Sequence, residues 1–160
     1  MATKNQILAY LAGCIDSDGT IGIKKSSYSV RIVKDSGQPV YSERLSLRQV
    51  SPEVPNLLKD TFGGSVYITK PSTERGKNLH SWQITDKKAS ECLRHLLPFL
   101  RIKREQAINC LKLREIKEKS KKIRTAKGRG HKGSKPRPKE ISQKMESLYQ
   151  KAKQLNKTGI

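Results

Sequence analysis

The chain has no long apolar run, no cysteine framework and few acidic residues. Each shortage excludes a class of protein. Its longest apolar stretch, Ile7 to Ile15, is nine residues, against the roughly 20 that a membrane-crossing helix needs. No small-residue cleavage site closes that stretch, and Asp16 and Asp18 follow it, so no secretory signal is expected. The three cysteines, Cys14, Cys92 and Cys110, are odd in number and widely spaced, with no Cys-x-x-Cys. That argues against a disulfide scaffold and a zinc site, and fits small apolar residues in a reducing compartment.

Apolar residues are also scarce. Ile, Leu, Val and Phe total 36 of 160, just above the disordered class. The expectation is one folded domain with a polar extension. What is abundant is positive charge: 34 Lys and Arg against 14 Asp and Glu, a net +20. It is unevenly placed. Residues 1–100 hold 14 basic and 9 acidic side chains, net +5, and residues 101–160 hold 20 and 5, net +15. This exceeds what solubility needs and points to a polyanionic partner. Nucleic acid leads, with an anionic membrane surface as the main rival.

The periodicity switches along the chain. Ile7, Leu8, Leu11 and Ile15 recur at helical spacing, predicting a helix over 4–15 that ends at Asp16–Gly19. Residues 20–33 and 40–50 alternate as strands, with Ser36-Gly37 as a hairpin signal between them. Ser51-Pro52-Glu53 opens a second helix, with Ser51 as cap and Pro52 at the first position. Val54, Leu57, Leu58 and Phe62 form its apolar face, and Gly63-Gly64 stops it. Strands return at 65–70 and 79–85, joined by the polar stretch 71–78. A third helix ends before Pro98 and a fourth starts near Lys103. Residues 119–138, rich in Gly, Pro, Lys and Arg, read as a basic flexible linker, and 139–156 as a last helix. The order α-β-β-α-β-β-α-α makes an α+β layer with helices on one face of a four-stranded antiparallel sheet. The bounds expected are a core over 1–118, a linker over 119–138 and a helical extension over 139–160.

The most informative segment is Leu11-Ala12-Gly13-Cys14-Ile15-Asp16-Ser17-Asp18-Gly19. Two carboxylates sit at a helix C-terminus, where the dipole favours cations. Local rules that fail this plainly often mark function, and a divalent metal would reverse the penalty. Ala9, Ala12 and Gly13 would let another backbone approach closely. A plain C-cap turn ended by Gly19 is the structural alternative. A calcium-binding EF-hand loop is excluded, because its further ligands are missing.

The segment closely resembles the nine-residue signature of the LAGLIDADG homing endonucleases, with seven of nine positions identical and Cys14 and Ser17 as the departures. The resemblance extends to the α-β-β-α-β-β-α order over residues 4–118. Pro98-Phe99-Leu100-Arg101-Ile102-Lys103 with Gln106-Ala107 is similar to the single-motif branch of algal organelles. It implies a homodimer, since one motif per chain supplies half an active site, with Ala9, Ala12 and Gly13 at the interface. Two Asp18 carboxylates would then hold Mg²⁺, with Mn²⁺ as a substitute and the Ser17 carbonyl as a further ligand. Asp16 and Gly19 would be structural. Gln49 matches the family's water-positioning glutamine and Lys103 a basic residue that steadies the transition state. Alone, they read as a strand-end glutamine and a solvated lysine. Some relatives carry a basic residue just after the glutamine, where this chain has Ser51-Pro52-Glu53.

Partners follow from the sheet. Ile21, Ile23, Leu45 and Leu47 should face the core, which turns Lys24, Ser26, Tyr28, Arg44, Ser46 and Arg48 outward. Such a ribbon fits the major groove of double-stranded DNA. In strand 65–70 either Tyr67 and Thr69 or Ile68 and Lys70 point out. Lys70 would bind DNA as well, Arg75 and Lys77 would touch the DNA backbone, and so would the basic tail with Lys132 and Lys135. Trp82 reads as core ahead of a base-stacking platform. The resemblance therefore implies a sequence-specific DNA endonuclease that cuts a long near-palindromic site and leaves 3′ overhangs. An RNA-binding intron maturase with intron RNA as partner, and an inactive DNA-binding regulator, are the alternatives. An unrelated basic RNA-binding protein would leave the motif unexplained. An organelle, a bacterial cytoplasm or a phage-infected cell would each fit, and no membrane partner is expected.

Overall fold

A computed structural model describes residues 1–26, 38–125 and 137–157. The elements run α1 (Lys4–Asp18), β1 (Gly19–Ser26), β2 (Val40–Gln49), α2 (Glu53–Phe62), β3 (Ser65–Thr69), β4 (Leu79–Thr85), α3 (Asp86–Leu96), α4 (Arg104–Thr125) and α5 (Lys139–Lys157). The expected α+β order and four-stranded antiparallel sheet are present. The sheet order is β1-β2-β4-β3, with every neighbouring pair antiparallel.

Helix α1 starts at a capping box: Thr3 Oγ1 accepts from the Gln6 amide, and the Gln6 side chain accepts from the Thr3 amide. These satisfy two otherwise orphaned donors. The helix runs on through both acids to Asp18, three residues past the expected end. It turns directly into β1 at Gly19, where a Cβ would lie 2.8 Å from the Ile15 backbone. Only glycine permits that junction.

Helix α2 starts one residue later than the periodicity predicted. Pro52 is its N-cap and has no side-chain cap bond; the Ser51 hydroxyl accepts from the Glu53 amide at 3.3 Å. The helix ends at Gly63, followed by Gly64 at φ +92°, where a Cβ would meet the Gln83 carbonyl at 2.6 Å. The freed Gly63 carbonyl accepts from Trp82 Nε1 at 2.8 Å. Trp82 is fully buried, which settles it as core.

The core lies between helices α1–α4 and one face of the sheet. Ile21, Leu45, Leu47, Trp82 and Ile84 pack there against Leu11, Ile15, Leu58, Leu93, Leu96 and Leu113. Burying each such side chain contributes roughly 1.5–3 kcal/mol. One acid lies on this inner face. Glu43 is fully buried, paired with Arg114 at 2.9 Å and Lys117 at 3.0 Å, and accepts from Ser90 Oγ at 3.1 Å. Asp86, in the left-handed region at φ +59°, binds the same two cations. Burial pushes its carboxyl up, but the hydrogen bonds from Lys117 and Arg114 outweigh this and hold it below its ordinary range. The cluster ties β2 and the β4–α3 corner to α4.

The last helix is present, and the stretch before it differs from expectation. The stretch expected to be linker begins as helix, because α4 continues to Thr125. Ser36-Gly37, residues 27–33 of the expected first strand and residues 126–136 lie outside the described residues. Helix α5 then packs on α4 and on β1, an edge strand. Asn109 Nδ2 donates to the Leu148 carbonyl at 2.8 Å, and Asn156 Nδ2 to the Ile21 carbonyl at 3.1 Å. Covering edge-strand groups in this way blocks pairing with other chains. Gln38 and Arg137 exchange two bonds of 3.0 Å that join the approach to α5 to the start of β2. Glu146 accepts from Lys25 at 2.8 Å and from the Tyr41 hydroxyl. Among the described residues no helix is long and apolar enough to cross a membrane.

Two outcomes follow. Arg114→Ala leaves Glu43 buried without its main partner and lowers stability by about 3–5 kcal/mol, measured by urea unfolding; replacing Glu43 and Arg114 together by leucine restores most of it. The bonds from Lys25, Tyr41 and Gln150 pull Glu146 down to about 2 from 4.5. A depressed carboxylate stabilises above its unfolded value and loses this as pH falls. The protection of the α5 amides, corrected for intrinsic exchange, therefore falls between about pH 4.5 and 2, and Glu146→Gln removes that dependence.

Candidate active site and nucleic-acid interface

Helix α1 presents its last carbonyls and two carboxylates at one end, a placement that is unfavourable in isolation. The tertiary structure answers two of the three mismatches. Asp16 is buried, and its carboxylate accepts from the main-chain amides of Arg101 at 2.7 Å, Ile102 at 3.2 Å and Lys103 at 2.9 Å. It thereby caps the turn that opens α4. In return Lys103 Nζ donates to the carbonyls of Ile15 at 2.8 Å and Asp16 at 2.6 Å. This ammonium is the cation that the end of α1 lacks in sequence. Burial pulls Lys103 below its ordinary range, and the Asp16 and Asp18 charges only partly offset that.

Asp18 is left exposed, at the step from α1 into β1. Gln49, the last residue of β2, donates from Nε2 to Asp18 Oδ2 at 2.7 Å. The two lie 31 positions apart in the chain, and register brings them together: Gly19 pairs with Leu47, so the end of β2 overhangs the end of α1. Ser17 is exposed, with its hydroxyl turned back onto the Cys14 carbonyl at 3.1 Å.

The acceptors open at this corner are oxygens, which suits a hard divalent cation: the Asp18 carboxylate and the Ser17 carbonyl, since Lys103 already takes the carbonyls of Ile15 and Asp16. Among the described residues no three His, Cys, Asp or Glu side chains gather into a metal site. One chain therefore offers one acidic ligand there.

The sheet carries the polar surface. Register and burial turn Thr20, Lys24, Arg44, Ser46 and Arg48 away from the core. These residues line one groove of about 700 Å³ that also holds Asp18. Ser26 ends β1, half-buried. Across the sheet Ser65, Tyr67 and Thr69 share the outer face with Ser81 and Gln83, whereas Ile68 lies in register with His80 and Gln49 on the other. Tyr67 and Thr69 are thus the outward pair, and Lys70 is an exposed residue just past the strand. Arg75 and Lys77 are exposed in the β3–β4 connection, outside the groove. Tyr28, Lys132 and Lys135 lie outside the described residues.

One expectation fails. Ala12 is fully buried in this chain's own core and has no surface for a partner helix. Ala9 and Gly13 are exposed, and Gly13 has open space where a Cβ would stand. Tyr10, 55% exposed beside them, was missed, although its place one residue from Ala9 puts it near that stripe. Lys153 and Lys157 of α5 also line the groove. Their i, i+4 spacing on the last helix was a readable signal, but only the packing of α5 on β1 aims it. Gln83, which accepts from Arg44 at 2.8 Å, had no signal beyond its strand alternation.

Neither a protein-family model nor a curated protein matches the chain. Solved structures do. The homing endonuclease I-TnaI aligns at a TM-score of 0.61 with 16% identity, over 99% of this chain and 97% of that one. The homing endonuclease I-CvuI, in complex with the I-CreI target and Mg, aligns at 0.57 with 18% identity, over 93% and 96%. The archaeal intron-encoded I-Vdi141I, complexed with DNA, aligns at 0.54 with 13% identity, over 92% and 96%. At these identities the likeness is one of fold: the chain has the fold of the LAGLIDADG homing endonucleases.

The two aspartates should separate by measurement. Asp16→Ala strands three main-chain donors and costs about 3 kcal/mol of unfolding free energy. Asp18→Asn removes a misplaced negative charge and leaves stability unchanged or raises it by up to about 1 kcal/mol. Urea unfolding of both variants checks this.

Proposed function

We propose that the chain is a homodimeric LAGLIDADG endonuclease that cuts double-stranded DNA site-specifically with Mg²⁺ as cofactor. The observation that carries this reading is the Asp18–Gln49 pair, bonded at 2.7 Å, at the end of a groove lined by Lys24, Arg44 and Arg48. A hydrolytic corner opens onto a basic surface. The structural neighbours I-CvuI, in complex with DNA and Mg, and I-Vdi141I, complexed with DNA, support the same reading.

A two-fold dimer through the exposed Ala9–Tyr10–Gly13 face of α1 would bring two Asp18 carboxylates together. Each half-site supplies one acidic ligand, which is why the second chain is needed. Asp18 and the Ser17 carbonyl would hold a hard divalent ion, which would supply acidity to an attacking water and charge compensation for the leaving 3′ oxygen. The Gln49 amide orients the Asp18 carboxylate and the attacking water. Lys103, with two of its three donors on α1 carbonyls, holds the end of the helix rigid. Arg44, Arg48 and Lys24 meet the major groove, and Lys153 and Lys157 the phosphates beside it. Protein symmetry imposes a near-palindromic target, cut to leave 3′ overhangs. Mn²⁺ would substitute for Mg²⁺. The host compartment is an organelle or a bacterial or phage-infected cytoplasm.

The test incubates the protein with a large randomised duplex DNA library in Mg²⁺, captures cut ends and sequences them. Asp18→Asn and a Ca²⁺ reaction run in parallel. Recovered sites should show dyad symmetry and a fixed overhang. Asp18→Asn should lose cleavage by about a thousandfold or more while binding stays within about tenfold. A pool that is enriched by binding and never cut sinks the endonuclease reading and directs attention to structured intron RNA.

A further inference from the structure

One arginine on the outer face of the sheet is already held before any partner arrives. Arg44 Nη2 donates to Gln83 Oε1 at 2.8 Å. The two sit diagonally on neighbouring strands, since Arg44 lies opposite Thr85 and Gln83 opposite Ser46. On its other side Arg44 faces Gly22, which offers no side chain to lean on. Among the described residues, Lys24 and Arg48 on the same face have no such anchor.

The arrangement is locally unfavourable. Arg44 Nε is buried without a hydrogen-bond partner, and an unmet buried donor costs free energy. A guanidinium placed only for stability would turn Nε toward water or an acceptor. Here Nε stays buried and Gln83 fixes the fork from one side. Arg44 also lines the groove that holds Asp18, so the held group faces the surface assigned to DNA.

We propose that Gln83 is a positioning residue for sequence specificity: it holds Arg44 in the orientation that reads one guanine in each half-site. This rests on the DNA-endonuclease reading above. Arginine recognises guanine by a bidentate bond to O6 and N7, which demands a set plane and direction. A free arginine side chain loses rotamer freedom when it takes up that geometry, whereas a preorganised one loses less. An acceptor on one Nη2 hydrogen leaves the rest of the fork to meet the base. Gln83 therefore acts through Arg44 and touches no base itself.

The experiment selects a randomised duplex library with the wild type, Arg44→Ala, Gln83→Ala and Gln83→Glu, sequencing bound DNA in Ca²⁺ and cut ends in Mg²⁺. Urea unfolding of each variant controls for folding. The wild type should prefer guanine at one position per half-site. Arg44→Ala and Gln83→Ala should flatten that same position by roughly tenfold and leave the others intact. Gln83→Glu should retain it, because a carboxylate still accepts from Nη2. The inference falls if Gln83→Ala leaves the position unchanged, or flattens one that Arg44→Ala does not. It falls equally if Arg44→Ala weakens all sequences uniformly, the mark of a phosphate contact. A wild type that enriches no sequence overturns the DNA reading and this inference with it. A wild type that enriches a site while Gln83→Ala behaves identically overturns this inference alone.

Discussion

The molecule depends on a reciprocal lock between the end of α1 and the start of α4. Asp16 satisfies three amides at the turn into α4, and Lys103 from that turn satisfies two carbonyls at the end of α1. Each helix terminus carries orphaned groups and a partial charge that water would otherwise meet. Here each terminus meets a side chain of the opposite sign from the other. The lock fixes the direction in which α1 ends, and Gly19 then lets the chain enter β1 with no intervening loop. Asp18 is placed by that geometry. A carboxylate in the last residue of a helix is disfavoured on its own; it is tolerated because its neighbours have already been neutralised.

The sheet divides the labour between its faces. The inner face carries the apolar core and one buried acid, Glu43, held by Arg114, Lys117 and Ser90. The outer face carries short polar and basic side chains, with Arg44 held by Gln83. Helix α5 closes the exposed edge of β1 through Asn156 and through the Glu146 cluster with Lys25 and Tyr41. That contact does two things at once. It covers strand groups that invite aggregation, and it carries Lys153 and Lys157 to the rim of the basic groove.

Much of this was legible in the sequence, and the limits have physical reasons. Element type followed periodicity, because burial enforces period 3.6 or 2 wherever one face meets a core. Boundaries were less legible. Helix α1 outran its apolar pattern by three residues because Asp16 and Asp18 are held by partners 85 and 31 positions away, and α4 outran its pattern to Thr125. Ala12 illustrates a different limit. Its small size reads equally as a partner-facing or a core-facing position, and helical phase decided for the core.

By itself the sequence determined which residue types were available and in what local order: a nine-residue segment with two acids at a helix end, alternating strands with a basic face, and a positive tail. These are short-range properties, set by backbone geometry and side-chain chemistry within a few residues. Only the tertiary structure decided that Asp16 is spent on α4 while Asp18 stays exposed, that Gln49 reaches Asp18, and that Gln83 holds Arg44. Those choices depend on strand register and helix phase. A shift of one residue in register sends every side chain to the opposite face, and the balance that sets the register is the burial of the whole core.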